Sequence, residues 1–103
     1  MKTTKQIRLP EDVILYIREL GKEIFGKDAE VWIFGSRANP EAKGGDIDIY
    51  IETDSTEDIF KKKIKFLVKL ENKIGEQKID LIVKKKGCQE YICQEARKTG
   101  VKL

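Results

Sequence analysis

Asp46 and Asp48 stand two residues apart in the run Gly45-Asp-Ile-Asp-Ile-Tyr-Ile51, and a third acid, Asp80, sits between Ile79 and Leu81. On a strand, residues two apart point the same way and lie within ~7 Å of each other, so the first pair shares a face. Asp80, on a neighbouring strand of the same facing, brings a third carboxylate to them. Two ionised carboxylates ~4 Å apart repel by about 4 kcal/mol at an effective dielectric near 20. Such a cluster calls for protons or cations, and its hard oxygen ligands suit Mg²⁺ or Mn²⁺ completed by water and phosphate oxygens. Gly35 and Ser36 close an apolar run and supply the other half. The glycine lets backbone approach a ligand, and the serine adds a hydroxyl and an N–H, which together make an anion-binding turn. An anion-binding turn beside a metal-binding acid cluster is what a nucleoside triphosphate with its metal requires. Arg37, next in the chain, is a further candidate for meeting phosphate charge.

These residues need a scaffold, and the periodicities supply one. Val13, Ile14, Ile17, Leu20 and Ile24 recur at the three-and-four spacing of a helix buried on one side, from Pro10 to Phe25, with Gly26 as its stop. Glu30 to Phe34 is a short apolar run bounded by turn residues and reads as a buried strand, with Trp32 and Phe34 as core side chains. Arg37 to Gly45 is a loop with a helical turn in it, and Gly44-Gly45 is turn chemistry. Asp46 to Ile51 alternates, with Ile47, Ile49 and Ile51 on one face and the acids on the other. A long helix is expected from Glu57 to about Ile74, its stripe of Phe60, Ile64, Leu67, Leu70 and Ile74 facing inward and its lysines in solvent. Lys78 to Val83 alternates again as a third strand, and Gln89 to Lys98 is a final helix ended by Gly100. The order predicts an α/β fold: a small mixed sheet of about three strands, with helices packed on one face and the aspartates on the other.

Composition narrows the chemistry. A chain of 103 residues with 40% hydrophobic content and no compositional break reads as a single domain, 1–103. There is no histidine, which removes Ser-His-Asp and Cys-His nucleophile systems, His-ligated zinc and imidazole acid–base work. The net charge of +3, from 21 basic and 18 acidic residues, is too balanced to point to nucleic acid. No apolar run reaches the ~18 residues needed to cross a bilayer, so a soluble, cytoplasmic protein is expected. Cys88 and Cys93, five apart in an expected helix, would have Cα atoms roughly 8 Å apart and are read as reduced packing residues rather than a disulfide. A calcium loop is excluded, because Asp48 is followed by Ile49-Tyr50 in place of the required spacing.

The segments Phe34-Gly-Ser-Arg-Ala38, Gly45-Asp-Ile-Asp48 followed by Ile49, and Ile79-Asp-Leu81, with the closing Glu95-Ala-Arg-Lys-Thr-Gly-Val101, resemble the MNT-type minimal nucleotidyltransferase domain of the DNA polymerase β superfamily. The resemblance spans nearly the whole chain, although the stretch from Ser36 to Asp46 is one residue shorter than is usual in the family. It implies a polymerase β-like fold in which Gly35 and Ser36, with Arg37 beside them, bind the triphosphate of ATP. Asp46, Asp48 and Asp80 would hold two Mg²⁺ or Mn²⁺ ions. It further implies transfer of AMP to a hydroxyl of a partner protein, a HEPN-domain toxin for which this chain would be the antitoxin in a toxin–antitoxin system. The alternative is a non-catalytic module that neutralises its partner by occlusion. Homo-oligomerisation is left open by the sequence.

Overall fold

Strict alternation in two isoleucine-rich segments builds the centre of the sheet. The structure, a computed structural model, describes residues 6–42 and 45–103; Gly44 and the first five residues of the chain lie outside that range. Its elements are α1 (Glu11–Phe25), β1 (Glu30–Phe34), a 3-10 turn (Gly35–Ala38), β2 (Ile47–Thr53), α2 (Ile59–Ile74), β3 (Ile79–Lys85), α3 (Tyr91–Thr99) and β4 (Val101–Lys102). The strands order as β3-β2-β1-β4. β1 runs antiparallel to β2 and β4, and β2 runs parallel to β3, with α2 as the crossover that parallel neighbours require. The sheet is therefore mixed, as expected. It has a fourth strand that the expectation of about three lacked, because two residues carry no periodic signal.

One sheet face carries Val31, Ile33, Ile47, Ile49, Ile51, Leu81 and Val101, all buried against Ile14, Ile17 and Leu20 of α1 and Phe66 and Leu70 of α2. The other face carries Trp32 and Tyr50, buried against Cys93 and Ala96 of α3. Thus α1 and α2 share a face as expected, while α3 packs on the face that bears the aspartates and covers Trp32 and Tyr50 there. A ring pair of that size, flanked by Phe34 and Ile82, needs a lid, and α3 is delivered to it by the chain's return to β1 through β4. Arg97 fixes the lid: its guanidinium donates to the Glu52 carboxylate and to the Cys88 carbonyl oxygen at 2.7 Å, while the Tyr50 hydroxyl donates to Glu52 at 2.6 Å. Burial first, and then the neighbouring Glu52 carboxylate, drive the Tyr50 phenol far above its usual range.

Two further expectations are corrected. Of the stripe expected to face inward on α2, Leu70 is fully buried and Leu67 and Ile74 pack against the core, whereas Phe60 is 72% and Ile64 47% exposed, and Phe66, outside that stripe, is fully buried. The helix carries two apolar stripes, and periodicity does not say which of them meets the sheet. The cysteines are joined as a disulfide across a Cα–Cα distance of 6.0 Å. α3 begins only at Tyr91, so Cys88 lies in the turn before it, and the separation of two residues on one helix does not apply. Among the described residues no helix is long and apolar enough to cross a membrane.

Candidate active site

β2 and β3 pair in parallel with Asp48 directly beside Asp80, and β1 sets Phe34, the residue before Gly35, opposite Asp48. Ile47, Ile49 and Ile51 are fully buried under the helices, which by alternation turns Asp48 to the other face. Asp80 follows for the same reason, since Leu81 beside it belongs to the helix-covered core. Asp46 precedes the strand by one residue, where the Ile47 N–H donates to the Lys78 carbonyl oxygen at 3.1 Å and fixes the start of the ladder.

The three acids do not meet equally. Asp48 and Asp80 stand side by side in register, while Asp46 turns its Oδ2 toward Lys78 Nζ at 3.5 Å. Among the described residues, Cys88, Glu90 and Cys93 are the one trio of metal-ligand side chains whose ligand atoms lie within 4.8 Å of one another, and their sulfurs are bonded to each other. The aspartates therefore line one patch without closing to that separation. Burial raises the Asp48 carboxyl above its usual range, and the charge of Asp80, the hydrogen bond with it and the charge of Asp46 push the same way, against Lys78. The Lys78 ammonium stands as a monovalent cation beside the third acid. A patch of exposed and half-buried carboxylates fits a hard divalent ion that keeps part of its water shell.

Directly against this patch lies the 3-10 turn. Gly35 has φ +72°, and a Cβ built there would stand 2.2 Å from Asp48 Oδ2. A Cβ at Gly45, φ +97°, would stand 2.0 Å from Ser36 Oγ. Both glycines are therefore contact points: one seats the turn on Asp48, and the other seats the backbone before Asp46 on the Ser36 hydroxyl. The opening N–H groups of such a turn have no partner within it. A cavity of about 440 Å³ borders the turn, lined by Gly35, Ala38, Asn39, Pro40, Gln6 and Thr99, within the size range of small-molecule sites.

Arg37 is placed differently from a phosphate clamp. Its Nη1 donates to the Arg8 carbonyl oxygen at 2.9 Å, and its Nε is buried without a partner among the described residues. Arg8 returns the contact, donating to Ser36 O at 2.9 Å and Asn39 O at 3.0 Å. The two arginines thus lash the turn to the segment preceding α1. Sequence reasoning missed Arg8, for which no local signal exists. It also missed Lys78, which strand alternation would have found, since it lies two residues from Asp80 on the same face. Gly45 was read as turn chemistry alone, and its contact with Ser36 goes beyond that.

The sequence profile of the family described as "Nucleotidyltransferase domain" matches residues 14–103. A solved structure described as "Crystal structure of putative nucleotidyltransferase" shares the fold, with a TM-score of 0.55 at 24% identity, covering 87% of this chain and 96% of that one. No protein of curated function matches the chain.

Proposed function

The chain belongs to the nucleotidyltransferase domain family, and from that premise we propose that it transfers AMP from ATP to a hydroxyl of a partner protein. The observation that carries the reading is the seating of Gly35 against Asp48, with Asp80 as the in-register neighbour of Asp48. Phosphate-gripping backbone and acid pair are thereby one unit. Gly35 and Ser36 hold the triphosphate through backbone N–H groups and the serine hydroxyl. Two Mg²⁺ or Mn²⁺ ions held by Asp46, Asp48 and Asp80 would neutralise the phosphate charge and lower the acceptor hydroxyl's pKa. The acceptor oxygen attacks the α-phosphorus in line, a new P–O bond forms, and the bond to the β-phosphate oxygen breaks to release pyrophosphate. Asp80, the exposed member of the pair, takes the hydroxyl proton, and Lys78 stays within reach of the triphosphate oxygens.

The acceptor side of Asp80 faces solvent, which suits an acceptor carried by a second macromolecule. By its resemblance to MNT-type domains, that partner is a HEPN-domain toxin and this chain its antitoxin. Incubation of the two proteins with ATP labelled on the α-phosphate and Mg²⁺ tests this. Label on the partner, lost with Asp48→Asn, is the expected result; an unlabelled partner, or labelling that survives Asp48→Asn, refutes it.

A further inference from the structure

Away from the aspartate patch, the turn that enters α3 gathers a second set of metal-ligand side chains. Cys88, Glu90 and Cys93 bring their ligand atoms within 4.8 Å of one another. The two cysteines are joined as a disulfide across a Cα–Cα distance of 6.0 Å, so the backbone delivers both sulfurs to one point. Glu90 is aimed at the same point, its Oε2 standing 3.6 Å from Cys88 Sγ. Four residues separate the cysteines, a spacing that zinc sites use.

Contacts other than the disulfide hold the backbone of these ligands. Arg97 Nη2 donates to the Cys88 carbonyl oxygen at 2.7 Å, and the Cys88 N–H donates to the Lys85 carbonyl oxygen at 3.2 Å. The Cys93 N–H donates to the Glu90 carbonyl oxygen at 3.0 Å, and Cys93 itself is fully buried in the first turn of α3. Opening the disulfide therefore frees two sulfurs while the positions from which they reach stay fixed. Around a tetrahedral zinc with Zn–S of ~2.3 Å, two sulfurs stand ~3.8 Å apart, a separation that rotation of the two side chains provides.

Charge, access and ligand chemistry agree. Two thiolates and a carboxylate exceed the charge of a divalent ion, and Lys84 Nζ, 3.1 Å from both oxygens of Glu90, offsets the excess, as does the N-terminal end of α3. Lys84 can keep Oε1 while Oε2 meets the metal, an outer-shell contact of the kind that orients a ligating carboxylate. A cavity of about 300 Å³ bordered by Cys88 and Glu90 opens the point to solvent. Thiolates exclude Mg²⁺ and Ca²⁺, whereas borderline-soft Zn²⁺ accepts sulfur and oxygen together. We propose that the reduced chain binds one Zn²⁺ through Cys88, Glu90 and Cys93, with water in the fourth position, and that disulfide formation closes the site. A dithiol opens it: two electrons and two protons pass to the Cys88–Cys93 bond, two thiols form, and the dithiol becomes a disulfide. Zn²⁺ then displaces the two thiol protons. The proposal does not depend on the nucleotidyl-transfer reading.

Cobalt(II) titration of the full chain, reduced by a phosphine and kept free of oxygen, tests it. Thiolate-bound cobalt absorbs in the near ultraviolet by charge transfer, and carboxylate-bound cobalt does not, so the aspartate patch stays silent. The reduced wild-type chain is expected to show that absorption, saturating at one cobalt per chain and bleached by Zn²⁺, while the disulfide form shows none. Cys88→Ser, at a partly exposed position that circular dichroism will show folded, should halve the absorption per bound cobalt. Glu90→Gln should raise the zinc dissociation constant at least ~10-fold, the loss that even an outer-shell partner causes, read by competition with a chromophoric chelator. Asp48→Asn should leave the thiolate absorption unchanged. A reduced chain without thiolate absorption, saturation at half a cobalt per chain, absorption lost with Asp48→Asn, or a zinc affinity indifferent to Glu90→Gln would each overturn the proposal.

Discussion

Replacing Gly35 with alanine adds one methyl group at the most crowded point of the site. That carbon would stand 2.2 Å from Asp48 Oδ2. Close carbon–oxygen contacts are ~3.3 Å, so the carboxylate or the turn must give way by ~1 Å. The backbone at φ +72° is also left-handed, which costs an alanine ~1–2 kcal/mol. Urea unfolding followed by the fluorescence of Trp32, the single tryptophan, should therefore show a loss of ~1–3 kcal/mol. A ~1 Å displacement of reacting groups costs ~100-fold in rate, and nucleotidyl transfer should fall accordingly. Gly26→Ala separates the two effects: Gly26 has φ +118°, yet a Cβ there meets nothing within 4 Å. It should lose stability without losing transfer. Equal transfer rates in the two variants would refute the argument that Gly35 seats the turn on Asp48.

Other consequences follow from the same geometry. With its carboxyl raised by burial and by Asp80, Asp48 binds a proton more tightly folded than unfolded. Its contribution is therefore favourable below the usual aspartate pKa and is lost as pH climbs through the raised one. In metal-free buffer, Asp48→Asn should gain stability relative to wild type as pH rises through that window; a difference that is flat with pH contradicts it. Phe66→Ala, at a fully buried position, should cost ~3–5 kcal/mol in denaturant unfolding, while Leu15→Ala, 57% exposed, should stay within about 0.5 kcal/mol. Reducing the Cys88–Cys93 bond, which closes a loop of sequence separation 5, should cost about 2 kcal/mol by loop entropy. Unfolding with and without dithiothreitol measures that, and no difference would count against the bond.

The alternation of Ile47, Ile49 and Ile51 against Asp46 and Asp48 was enough to place the two acids on the face opposite the helices, and the same rule applied to Ile79–Leu81 turned Asp80 to join them. Those are period-two facts, local to each strand. Placing Asp80 beside Asp48, rather than one strand away, took the parallel β2–β3 pairing, which no local pattern encodes. On α2 two apolar stripes compete, and only the position of the sheet decides that Phe66 and Leu70 are inside. The disulfide is missed because Cys88 is counted with Cys93 on one helix, whereas α3 begins only at Tyr91 and leaves Cys88 in the turn before it. Arg8 and Arg37 clasp each other across 29 residues, a contact beyond any spacing rule. The nucleotidyltransferase family was legible because its chemistry needs a glycine-serine turn and strand-borne acids, and both are written in short motifs.

A crystal of the chain grown with a non-hydrolysable ATP analogue and Mn²⁺ tests most directly whether turn and acids form one site. The expected density shows the triphosphate on the backbone of Gly35 and Ser36, with manganese bound to Asp46, Asp48 and Asp80 and Lys78 released from Asp46. Triphosphate bound elsewhere, or manganese that leaves the Asp48–Asp80 pair untouched, would contradict it.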